Sequence, residues 1–312
     1  LKLPAQGVYL PTDGIPASEL RAIAREIEGL GYGAVWLPDD LGRDPLVTST
    51  LILEQTRTLI AATGVLNLYG RDPMAIAMAQ QTLSELSSGR FLLGLGVSDR
   101  ASVESRGHRW RTPLHAMRES LAALKQAHTG LSISRALGLE GFGPQTVGQD
   151  GNGTITTSVG DLPVVLGALG PRMTALAREI AQGVLTLDNP SEEIRKQRAL
   201  LGTDAWLCAV QRVCLITDAR RARQLGRQVF AGALELSARR RQWLSQGFTA
   251  QDFDYGGSDA LIDHLLVWGD VETLKSRLRA LVDAGADQIC VQALRVDDPI
   301  RPCLRTLEAL LQ

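Results

Sequence analysis

Strand-like and helix-like segments alternate eight times along this chain, and that rhythm leaves few folds open. Short apolar runs fall at Gly7–Leu10, Ala34–Leu37, Ala61–Leu66 and Phe91–Leu95, then at Pro163–Gly167, Gly183–Leu187, Trp206–Ile216 and Gln288–Ala293. Between them lie stretches with apolar residues at helical spacing, as in Ala17–Leu30, where Leu20, Ile23, Ala24, Ile27 and Leu30 share one face. Further helices are predicted from about Leu46, from Pro73 to Ser87, and over Thr112–Ala127, Pro171–Ile180, Ser191–Leu201, Asp218–Ser245 and Asp270–Ala284. A short helix near the C-terminus is expected to cover the barrel bottom. Two junctions repeat one device: Gly29–Trp36 and Asp283–Cys290 each end a helix on glycine and turn straight into a strand. The pattern predicts an α/β protein, a (β/α)8 barrel in a single domain over residues 1–312.

One stretch breaks the rhythm. Thr129–Asp161 is rich in glycine, serine and threonine, and its apolar residues have no clear period. It reads as an insertion after the fourth strand–helix unit, either an active-site lid or a mobile loop.

The charge balance limits the partners. Thirty-three basic and 34 acidic residues give a formal net charge of −1, so electrostatics offers no reason to expect a nucleic acid or an anionic membrane. The densest basic runs, Arg220-Arg221-Ala222-Arg223 and Arg239-Arg240-Arg241, fall in helical segments and read as solvated faces. Cys208, Cys214, Cys290 and Cys303 lack a CxxC spacing and read as buried, inert thiols of a reducing compartment. No apolar run approaches the roughly 20 residues that span a bilayer, and no signal-peptide pattern opens the chain, so a cytoplasmic location is expected.

Several chemistries are poorly supported. The four histidines, His108, His115, His128 and His264, form neither HxH nor HExxH, so no metal site is predicted. GxSxG is absent, and Gly94-Leu95-Gly96 does not complete GxGxxG. The run Leu83–Asp99 is more informative: a helix ends at Gly89, a strand follows, and Gly94 and Gly96 lack the Cβ that would keep another group off the strand end. In parallel α/β folds ligands bind at that end. The next strand ends in Gly167-Ala168-Leu169-Gly170-Pro171-Arg172, where a helix start offers free N–H groups to an anion or is only a helix start.

The runs Gly29–Asp39, Thr63–Pro73, Ser87–Ser98 and Ala168–Leu176, with Gln246–Phe253, Ser258–Gly269 and Ala284–Gln292, together resemble the bacterial luciferase-like flavin and deazaflavin oxidoreductases. Within that family the chain looks like the actinobacterial branch that uses coenzyme F420, an 8-hydroxy-5-deazaflavin. The resemblance covers nearly all of the chain except Thr129–Asp161. It implies a TIM barrel of the luciferase-like type, a homodimer packed through the helices near Leu46–Leu59 and Met74–Leu86, and hydride transfer between the deazaflavin and a small organic substrate. It places Asp39 beside the coenzyme ring, a non-prolyl cis peptide at Gly64-Val65, and Asn67, Gly96, Val97 and Ser98 around the ring. Gly167, Ala168, Leu169, Gly170 and Arg172 fall on the phosphate side of the coenzyme tail, and Asp99 and Asp40 are the candidate proton donors. The branch usually carries histidine at Asp99 and glutamate at Asp39, Ala-Asp-Gly at Ala181-Gln182-Gly183, and His-Pro-Tyr near Leu185-Thr186-Leu187. Two other readings stay open: an FMN-dependent monooxygenase, and a barrel that has lost catalysis and serves as a binding partner.

Overall fold

The computed structural model describes residues 1–128 and 162–312, with the backbone of a short antiparallel pair, Thr146–Val147 and Ile155–Thr156. The rest of segment 129–161, with its predicted lid or loop, lies outside the described residues. Eight parallel strands close into a ring: β1 (Gln6–Tyr9), β2 (Ala34–Leu37), β3 (Ile60–Thr63), β5 (Phe91–Gly96), β6 (Val164–Gly167), β7 (Gly183–Leu187), β8 (Trp206–Leu215) and β10 (Gln288–Ala293). β10 pairs with β1 to close it. The protein is a (β/α)8 TIM barrel, as the alternation predicts.

Both faces of each strand are buried, which is why the strands read as continuous apolar runs. In β2, Ala34 and Trp36 point into the barrel beside Tyr9, Leu92, Leu185 and Cys290. Val35 and Leu37 point outward into the layer beneath the helices. At the barrel's amino end, Trp36 Nε1 donates to Gln288 Oε1 at 2.7 Å, and Gln288 Nε2 donates to the Pro4 carbonyl at 2.8 Å.

The outer helices start on strong caps. Asp44 opens α2 (Pro45–Leu53) and Asp72 opens α3 (Pro73–Leu86), each accepting from two backbone N–H groups ahead of a proline at the first helical position. The ring also includes α1 (Ala17–Leu30), α5 (Pro113–His128), α6 (Pro171–Ile180), α7 (Ser191–Leu201) and α11 (Val271–Asp283). The C-terminal helix α12 (Leu304–Leu311) packs on α1 and α11. Cys208, Cys214 and Cys290 are buried, as expected, and desolvation pushes their thiols up, whereas Cys303, also expected to be buried, is only half-buried.

Three elements depart from the sequence reading. A six-residue helix, α4 (Arg100–Ser105), follows β5 directly. The stretch predicted as one helix over Asp218–Ser245 is two, α8 (Ala219–Glu235) and α9 (Ser237–Ser245), because Leu236 is extended at φ −79°, ψ 117°. Arg240 Nε donates to the Leu234 carbonyl, which terminates α8 without glycine or proline. An extra strand, β9 (Leu266–Gly269), follows α10 (Asp259–Leu265) and pairs with the far half of β8, outside the ring. Among the described residues, no helix is long and apolar enough to cross a membrane.

One local break in the ladder matters most. β3 pairs with β5 at Ala61↔Phe91 and Ala62↔Leu92, and pairing resumes from β4 (Leu66–Asn67) at Leu66↔Leu95. Four steps on one side match three on the other, so one residue is extra and the chain bulges at Gly64-Val65. The Thr63 hydroxyl spans the gap, donating to the Gly94 carbonyl and accepting from the Gly94 N–H, both at 2.8 Å. A Cβ on Gly94 would lie 2.1 Å from the Thr63 carbonyl oxygen, so no side chain fits there. Gly94→Ala is expected to cost about 3 kcal/mol of stability, read as a lowered urea midpoint.

Candidate active site

The carboxyl ends of the strands open into a cavity of about 910 Å³. That volume suits a drug-sized or cofactor-sized ligand. Its floor is the bulge: the Gly64-Val65 peptide is cis, and Val65 lies over Gly96 and Gly167. A Cβ on Gly96 would come within 2.3 Å of Val65 Cγ2. The bare faces of Gly94 and Gly96, read from sequence as room for a ligand, are filled by the chain's own Thr63 and Val65.

Of the sequence candidates, Asp39, Asp40, Gly64, Val65, Gly96, Val97, Ser98, Asp99, Gly167, Ala168, Leu169, Gly170 and Arg172 all line this cavity. Asn67 does not. It is buried, its Oδ1 accepts from the Tyr69 N–H, and its own N–H donates to Asp39 Oδ2 at 3.0 Å. Asp39 is committed as well: the same oxygen takes Arg71 Nη1 at 3.0 Å, and Arg71 reaches on to Asp44. This carboxylate fixes the short strand β4 to the end of β2.

The two aspartates proposed as acids have opposite environments. Asp99 caps α4, accepting from the Ser102 N–H at 3.0 Å and the Ser102 hydroxyl at 2.6 Å. Its carboxyl is desolvated, which alone would raise it, but these hydrogen bonds prevail and hold it below the ordinary range. A carboxylate held that way is a poor proton donor, and the acid role sketched for Asp99 passes to a capping role. Asp40 is exposed at the cavity rim. Desolvation raises its carboxyl, Asp13 and Asp39 add to the rise, and Arg212 opposes it.

At the opposite wall, Gly170 precedes α6 with Pro171 in the first turn, and no side chain caps that helix. A Cβ on Gly170 would meet nothing within 4 Å. Open space, an uncapped helix N-terminus and the exposed Arg172 fit a phosphate group.

The sequence reading missed several residues that shape the mouth. Tyr9, Trp110, Leu185, Leu187 and Arg239 all line the cavity. Trp110 stacks on Tyr69, with ring centroids 6.0 Å apart, and so is held as a wall. Arg239, assigned with Arg240 and Arg241 to a solvated face, is only 7% exposed; the break at Leu236 turns it inward. Helical spacing gives no signal for this, because the turn has no glycine or proline.

The chain belongs to the luciferase-like monooxygenase family, whose model matches residues 2–288. It is 26% identical over 307 residues to a 5,10-methylenetetrahydromethanopterin reductase of Methanolobus tindarius, covering 90% of this chain and 91% of that one. It is 28% identical over 302 residues to the enzyme of the same name from Archaeoglobus fulgidus, covering 87% and 88%. The fold matches the coenzyme F420-dependent tetrahydromethanopterin reductase of Methanopyrus kandleri with a TM-score of 0.70, at 20% identity and over 99% and 97% of the two chains.

The opposite environments of the two aspartates predict opposite responses. Asp99→Ala removes a helix cap and is expected to cost about 1 kcal/mol. Asp40 has a raised folded-state pKa, so its ionisation penalises the fold as pH rises. Asp40→Asn is therefore expected to stabilise the protein at pH 8, with the gain closing as pH falls toward about 4, the unfolded carboxyl's range. Chemical denaturation across that pH span checks both.

Proposed function

We propose that this protein is an oxidoreductase that binds a deazaflavin coenzyme of the F420 type and transfers a hydride between it and a small organic substrate. The observation that carries this reading is the cavity: a floor of Val65, an anion-ready helix start at Gly170 and a protonatable carboxyl at Asp40 sit around one space. Similarity to reductases over about nine-tenths of the chain supports the reaction class.

When bound, the deazaflavin supplies a ring carbon that gives or takes a hydride. The residues of the chain do the remaining work. Val65, Leu185 and Leu187 present apolar surface that keeps water from the reacting face. The N–H groups of the first turn of α6, with Arg172, hold the phosphate of the coenzyme tail. Asp39 acts at one remove, keeping β4 and the bulge in register through Asn67 and Arg71. Asp40 holds a proton on its carboxyl oxygen and hands it to substrate, a task favoured by its raised pKa.

The test is titration of the purified protein with oxidised F420, followed by coenzyme fluorescence, with FMN run in parallel. Saturable deazaflavin binding is the expected result. FMN binding alone turns the reading to oxygen chemistry, and binding of neither leaves the scaffold as a partner protein. With a substrate in hand, Asp40→Asn is expected to lower turnover about 100-fold or more. Coenzyme affinity should move less than about threefold, and Asp99→Ala should leave turnover within about threefold. Equal turnover in the Asp40 variant sinks the proton-donor role.

A further inference from the structure

A buried guanidinium lines the cavity with no salt bridge among the described residues. Among the described residues, Arg239 hydrogen-bonds only through Nη1, to the Leu187 carbonyl at 3.3 Å and to Gln242 Oε1 at 3.2 Å, and both oxygens are neutral. Among the described residues, no carboxylate lies within ion-pair distance of it. Asp188 is the acid that acts on it, but the salt bridge of that carboxylate, through Oδ2, goes to Arg212, which also donates to Gln292 Oε1 at 2.9 Å; Asp188 Oδ1 is buried with no hydrogen-bond partner among the described residues. Arg212 acts on Arg239 as a second positive charge, and Tyr9, which also acts on it, is neutral because burial pushes its hydroxyl far up. Arg239 is thus left with neutral hydrogen-bond partners and shares the field of Asp188 with Arg212, on which Asp40 also acts from the rim.

An arginine stays protonated in proteins, so the charge cannot be removed by losing a proton. Leaving it buried and unpaired is costly. The fork is also held in place: Gln242 Nε2 donates to Asn189 Oδ1 at 2.8 Å, and Asn189 Nδ2 donates to the Thr186 hydroxyl at 2.5 Å. Among the described residues no group is hydrogen-bonded to Nη2 or Nε of Arg239, which lines the cavity with Leu185 and Leu187. Two parallel N–H donors match the two oxygens of a carboxylate.

We propose that Arg239 is the anchor for a carboxylate on the substrate, so that the enzyme's substrates are small organic acids whose reacting carbon lies between Arg239 and Asp40. This deepens the hydride-transfer reading and rests on it for the word substrate. The phosphate of the coenzyme has its own cradle at Gly170 and Arg172, on α6 rather than α9.

The experiment uses benzoate and benzamide, which share shape and differ in charge, titrated against the full chain both free and saturated with F420. Tryptophan fluorescence reports binding, since Trp110 lines the cavity. Expected is a preference for benzoate of about tenfold or more in both states, lost in Arg239→Gln and partly kept in Arg239→Lys. Near-ultraviolet circular dichroism shows whether the variants are folded, and the comparison of the two probes on the unaltered protein decides even if they are not. Equal binding of the two probes overturns the proposal, as does a preference that survives Arg239→Gln. Loss of benzoate binding once F420 is present also overturns it, because the arginine then serves the coenzyme. Deazaflavin binding is read separately from the coenzyme's own fluorescence, so its failure marks the hydride-transfer reading and leaves the anion preference of the free protein to be judged by itself.

Discussion

The open end of this barrel depends on one packing constraint, the seat of Val65 in space that Gly94, Gly96 and Gly167 leave empty. The ladder between β3 and β5 fails after Ala62, and the Thr63 hydroxyl takes over the N–H and carbonyl of Gly94. That substitution satisfies the backbone groups a bulge would otherwise leave unpaired in a buried place. Asp39 finishes the device from the other side by accepting the Asn67 N–H. A carboxylate, a hydroxyl and three missing side chains thereby hold one valine as the floor of a cavity.

The barrel was legible because its strands are buried on both faces and its helices on one. Alternating runs such as Ala34–Leu37 and Leu20–Ile27 therefore carry the architecture directly. β9 and α4 were not, for a physical reason: each is short and has no period of its own. β9 is four residues that continue straight from α10, and α4 is six largely polar residues held by the Asp99 cap.

The site was legible in location and less so in chemistry. Strand ends and glycines point to the carboxyl end of the barrel, and all but one of the candidate residues line one cavity there. What a carboxyl does there depends on neighbours far away in sequence. Asp99 is set by Ser102, whereas Asp40 is set by Asp13, Asp39 and Arg212. Arg239 shows the same limit in reverse: within Arg239-Arg240-Arg241 the three look alike, yet one is buried, one ties off the preceding helix and one is exposed at the rim.

The break at Leu236 has an architectural consequence. Because α9 lies outside the ring of alternating strands and helices, it is attached to the barrel mouth much as a separate fitting is fixed to a housing. Arg239 and Gln242 tie it to Leu187 and Asn189 at the end of β7 and Trp243 is buried beneath it, while the bulge and the Val65 floor are built from other elements. The floor of the cavity and this part of its rim therefore come from separate stretches of the chain.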